Sequence, residues 1–179
     1  MEKILQFKRN ATVLGLCGEY KKKWDRCNTK QDLVRMALDS NGVEFMADSI
    51  AFGWGLSKDY LLREFGTYAN GAYQCHEGGY TSEMYVGTHG TLKSDSTILL
   101  VAYCDDLKII IPKHTFCRIY VCGGGKVLIE NNGKCEVLNY GANEVKCIGL
   151  NGSPSFSQEE ILTSKWSKHA ISGQCATST

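Results

Sequence analysis

Cys75-His76-Glu77 places a thiol, an imidazole and a carboxylate on consecutive residues. These are the side chains of nucleophilic and acid–base catalysis. Neighbours in an extended chain point to opposite faces, so Cys75 and His76 do not form a dyad by themselves. A base would have to come from elsewhere, for example His89 or His114, and no cysteine-protease or amidase signature surrounds Cys75. Asp105-Asp106 could bind a divalent ion or serve as acid and base. Aspartate also favours polar turns, and this pair follows an apolar run, so the turn is the preferred reading.

Cys122-Gly-Gly-Gly-Lys126 is the best candidate for an anion loop, because glycines let backbone amides approach a ligand and lysine adds charge. Its spacing is not that of a P-loop, and strand-like residues follow Lys126 where a phosphate-binding helix would begin. A tight corner accounts for it as well. The nine cysteines include no C-x-x-C pair. Zinc ligands usually come closer together than these, so cysteines stacked in a core are expected and no metal or cofactor is. Lys21-Lys22-Lys23-Trp24-Asp25-Arg26 could meet nucleic acid, but Trp24 also belongs to the buried face of a helix, which leaves the lysines on a solvated face.

The segment from Phe52 to Tyr85 is richest in unusual residues. It holds Phe-Gly-Trp-Gly, the tyrosines Tyr68, Tyr73, Tyr80 and Tyr85, and a Gly-Gly-Tyr-Thr-Ser-Glu run. Tyrosine and tryptophan provide rigid contact area, and glycine permits close backbone approach. Trp54, Tyr73, Tyr80, Thr81, Ser82, Glu83 and Tyr85, with Lys126, are therefore the expected ligand-binding residues. No catalytic residue is assigned.

The elements that must position these residues follow from periodicity. Val13, Leu16, Cys17, Tyr20 and Trp24 fall on one helical face. Thr29 followed by Asp32 reads as an N-cap, Leu33, Met36 and Ala37 as an apolar stripe, and Asn41-Gly42 as a stop. Val43, Met46, Ala47, Ile50 and Ala51 repeat the helical spacing, and Ser57 caps a last short helix that ends at Gly66. YTSEMYV (80–86) alternates as a strand does. TILLVAY (97–103) is apolar on both faces and reads as a central strand covered on both sides.

Between Leu107 and Leu150 short β segments recur: LKIII, CRIYV, KVLIE, KCEVL and VKCIGL. Read as single rungs of a solenoid, they stack Ile109/Ile111, Ile119/Val121, Val127/Ile129, Cys135/Val137 and Val145/Cys147 inside. An antiparallel meander uses the same alternation, but same-phase apolar pairs persist across unlike turns, which favours the solenoid. A short solenoid needs its ends covered. The fold class expected is α+β: a helical N-terminal cap over 1–70, a β-solenoid or meander body over 71–152, a C-terminal helix over 153–172 and a disordered tail over 173–179. Ser157 with Glu160 supplies a capping box for that last helix.

The net charge of +1 argues against affinity driven mainly by phosphate charge, so nucleic acid is not an expected partner. An odd cysteine count inside apolar segments, with no signal-peptide pattern and no run long enough to cross a bilayer, points to a reducing cytoplasm. Exposed edges and apolar faces point to a homo-oligomer.

GVEFMADSIAFGWGLSKDYLLREFG, then GYTSEMYVG, then CRIYV and its strand repeats resemble small phage and prophage proteins of gut bacteria, over most of residues 12–150. That group has no assigned activity, so no residue role carries over. The resemblance implies a phage-type context and a protein that acts on the host by binding. Antagonism of bacterial defence, by sequestering a small anionic, nucleotide-type ligand or by blocking a host protein, is the leading expectation. The alternatives are a hydrolase of a phosphodiester or amide using Cys75, His76 or Asp105/Asp106, and a virion-associated part.

Overall fold

A computed structural model describes residues 18–141, 143–149 and 155–156. Four helices, α1 (Gly18–Asp25), α2 (Lys30–Ala37), α3 (Ser40–Ala51) and α4 (Lys58–Phe65), precede a 3-10 turn and then ten strands. The strands are β1 (Cys75–Glu77), β2 (Tyr80–Val86), β3 (Gly90–Lys93), β4 (Ile98–Ala102), β5 (Leu107–Ile111), β6 (Phe116–Cys122), β7 (Gly125–Asn131), β8 (Lys134–Tyr140), β9 (Asn143–Gly149) and β10 (Ser155–Phe156).

The body is a parallel β-solenoid of four turns. β1 and the even-numbered strands form one sheet in the order β1-β2-β4-β6-β8-β10, and β3-β5-β7-β9 form the other. Every pairing is parallel except β1 with β2. That settles solenoid against meander and corrects the rung. Consecutive segments alternate between the sheets, so one rung takes two segments. Ser82 aligns with Ile98, Ile98 with Arg118 and Arg118 with Glu136, giving rungs of 16, 20 and 18 residues.

The five expected apolar pairs do face the interior. On the first sheet Leu99, Ile119 and Val137 stack in register; on the second, Ile109, Ile129 and Cys147 do. All belong to one core or pack on its margin. Cys117 and Cys135 are also in register and buried, as expected of stacked core thiols.

The helices do not cap the start of the solenoid. They lie across the outer face of the first sheet. Leu100, Tyr120, Cys122 and Tyr140 point outward there and share a second core with Val43, Met46, Ala47 and Ile50 of α3. Burying that apolar face outweighs covering one rung end. β4 is consequently buried at all five positions, as the two-sided apolarity of TILLVAY requires.

Local signals explain most helix boundaries. Thr29 and Asp32 form the capping box of α2, and Ser57 caps α4. Asn41-Gly42 is not a stop. Asp39 caps α3 by accepting the Gly42 amide at 2.7 Å, so both residues lie in its first turn. Gly42 is there for contact: a Cβ would sit 2.2 Å from the Met36 carbonyl oxygen. The expected C-terminal helix and tail, and the part of the first helical pattern before Gly18, lie outside the described residues. No helix among the described residues is long and apolar enough to cross a membrane.

Candidate functional site

The sequence-selected residues fall in four separate places. Ser82, Glu83 and Tyr85 are buried on β2. Alternation aims Glu83 and Tyr85 into the solenoid and Ser82 toward the helices. The Glu83 carboxylate accepts from the Tyr85 hydroxyl at 2.9 Å, the Ser94 hydroxyl at 2.8 Å and the Gln74 amide at 2.5 Å. Gln74 also reaches Ser96 at 3.2 Å. This network plugs the first rung, where the apolar interior would otherwise meet water. Its lone pairs are spent internally, and burial with the Glu83 charge raises the Tyr85 hydroxyl far above its usual range. These residues close the solenoid from within.

Thr81 sits beside Thr97, hydroxyl to hydroxyl at 3.3 Å. Tyr80 is exposed at the start of β2. Tyr73 meets Tyr68 edge-on at 5.5 Å.

The glycine loop before Lys126 is a corner between β6 and β7. A Cβ on Gly125, whose φ is +136°, would lie 1.9 Å from the Cys104 carbonyl oxygen, so a corner this tight admits only glycine. The Gly124 amide donates to Asn143 at 2.8 Å and the Lys126 amide to Asp105 at 3.2 Å. Two amides that could have cradled an anion are thereby committed. Lys126 itself faces Glu144 at 3.9 Å in solvent. Asp105 and Asp106 form the turn that this loop packs on, with Asp106 at positive φ.

The catalytic alternatives do not assemble among the described residues. Cys75 is buried, with its thiol 3.8 Å from the Arg35 carbonyl oxygen, while His76 next to it is exposed. His89 and His114 stand at two different corners. Burial pushes the Cys104, Cys117 and Cys122 thiols above their usual range and Cys147 up to about 11, so none of these four is a thiolate at neutral pH. No group of three or more metal-ligating side chains occurs among the described residues.

The helical layer carries an apolar pocket with an exposed aromatic beside it. An apolar pocket of about 80 Å³ opens between the four helices and Met84, lined by Trp24, Leu33, Phe45, Leu61 and Phe65 among others. Phe45 continues to Trp54 at 6.4 Å, and Trp54 stacks on Phe52 at 5.1 Å with planes 17° apart. Phe52 is 44% exposed. Gly53 and Gly55 hold positive φ on either side of Trp54 and turn the chain so that the two rings meet. At the pocket rim Tyr20 donates to the Asp39 carboxylate, which also takes Lys23 at 3.2 Å.

No family model, curated protein or solved structure matches the chain.

Of the expected residues, Trp54 alone belongs to this surface. Phe45, Phe52 and the pocket walls were not selected. Phe45 lies off the Val43–Met46–Ile50 stripe of α3, and a large aromatic off the buried stripe was the available signal.

Proposed function

We propose that the chain is a non-enzymatic binding protein whose docking surface is the aromatic run Phe52–Trp54–Phe45 and the apolar pocket behind it, and whose partner is another protein. In the phage context implied by its resemblance, that partner is a host protein, and binding blocks it. The observation that carries the reading is an exposed Phe52 stacked on a half-buried Trp54 beside an apolar pocket. Exposed, rigid aromatics next to a pocket are the usual anchors of protein interfaces. Capture of a small anion finds less support, since the Gly124 and Lys126 amides are committed to Asn143 and Asp105. The hydrolase reading lacks an assembled nucleophile and base among the described residues, with Cys75 buried and His76 exposed.

Replacing Trp54 by a photoreactive aromatic in the host cell should give one dominant cross-linked protein. For that purified protein, Trp54→Ala and Phe52→Ala should each weaken binding by about 30-fold or more, with unchanged circular dichroism. Full affinity in both folded variants would refute the docking surface.

A further inference from the structure

The β9 edge of the second sheet, unpaired among the described residues, has a charge pattern complementary to itself. β9 pairs with β7 along seven residues, from Asn143 to Gly149, and is the last strand of that sheet. Its other edge meets no strand among the described residues. Such an edge offers a row of backbone donors and acceptors to any chain that can match it. Val145 and Cys147 point inward and are only half-buried, so the solenoid core is still incompletely covered there. Glu144 and Lys146 point outward. Glu144 is 76% exposed, and Lys146 has no ion-pair partner among the described residues.

We propose that β9 is the interface of a two-fold symmetric dimer, in which it pairs antiparallel with β9 of a second copy about an axis through Val145. An axis normal to the sheet keeps outward residues outward in both copies, so only registers that pair residues of the same face are allowed. Charge selects among these. Centring on Glu144 sets Glu144 against its own copy, and centring on Lys146 sets Lys146 against its own copy. Centring on Val145 places each Glu144 opposite the other copy's Lys146, giving two opposite-charge cross-strand pairs, and packs Val145 against Val145 over the open core. The second sheet then runs through both copies. This dimer is independent of the helical docking surface, which lies on the other side of the molecule across the first sheet.

The test is sedimentation equilibrium of the full chain. The unaltered chain should be a dimer that dissociates on dilution. Glu144→Lys alone and Lys146→Glu alone should each weaken the dimer by about tenfold or more, because each single change converts both attractive pairs to repulsive ones. The double swap, Glu144→Lys with Lys146→Glu, should restore dimerisation, since it rebuilds both pairs with reversed sign. Both positions are exposed, so circular dichroism should stay as it is in all three variants. A monomer at all concentrations, or a dimer indifferent to the single swaps, would overturn the assignment. So would failure of the double swap to rescue, because a mere loss of edge charge cannot account for recovery.

Discussion

The two sheets of the solenoid share one interior and nearly one strand length, yet they are built for different surroundings. The first sheet is buried on both sides where the helices lie on it: in β4, Leu99 and Val101 face the interior, while Ile98 and Leu100 face the helices. The second alternates. Ile109 and Ile129 face inward, and Lys108 and Glu130 meet outside at 2.7 Å. The lesson is that outward positions, not inward ones, decide where the helical layer goes. The interior would look the same with the helices on either sheet.

That comparison can be broken by equal truncations. Leu100→Ala should cost about 3 kcal/mol in urea denaturation, since the side chain is fully buried between sheet and helices. Leu128→Ala, at an outward position of the second sheet, should cost under about 1 kcal/mol. Equal losses would mean that the second sheet is also covered.

The comparison sharpens with pH. Burial raises the Cys117 and Cys122 thiols of the first sheet above the ordinary 9.0, and the half-buried Cys147 of the second to about 11. Tyr120, under α3, rises from 10.0 to about 12. A group with a raised folded pKa contributes stability that is intact below its unfolded pKa and lost as pH climbs toward the folded value. The melting temperature should therefore hold steady up to pH 9 and fall above it, and the fall should be shallower in Cys122→Ala than in Cys147→Ala. A level profile to pH 11 would contradict the burial of these thiols.

The smallest effect belongs to the solvent face. Lys108→Met removes a pair with Glu130 in which both side chains are about a third exposed, and should change stability by about 0.5 kcal/mol or less, with little dependence on salt. A larger loss would show that the outer face of the second sheet is more than a solvated ladder.

Much of this architecture was legible in the residues. Thr29 and Ser57 announced their helices because a cap is a local hydrogen bond. The apolar pairs from Ile109 to Cys147 announced an interior because alternation is local too. Pairing is not local, and a repeat seen every eight to ten residues could not say that two segments make one turn. Asn41-Gly42 misled for a related reason. Gly42 is small because Met36 lies against it, and a glycine kept for a neighbour reads the same as a glycine kept for a turn. Glu83 and Tyr85 are buried in a closing network, a role the sequence did not separate from contact with a ligand, because both use polar and aromatic residues. Their partners Gln74, Ser94 and Ser96 become visible only once the rung is wound. The Phe52–Trp54 stack was half legible: the tryptophan stood out, but its stacking partner needed the turn through Gly53 to bring the rings together.

The helices that cover the first sheet have a consequence for synthesis. They leave the ribosome before any strand they pack on. Val43 and Ile50 must wait for Leu100, then Tyr120, and finally Tyr140, near the end of the described chain. At about 5–20 residues per second, the apolar face of α3 stays without its sheet for several seconds of every translation. In that interval the face has only neighbouring helices to cover it, and slowing translation between Ile50 and Leu100 would lengthen its exposure.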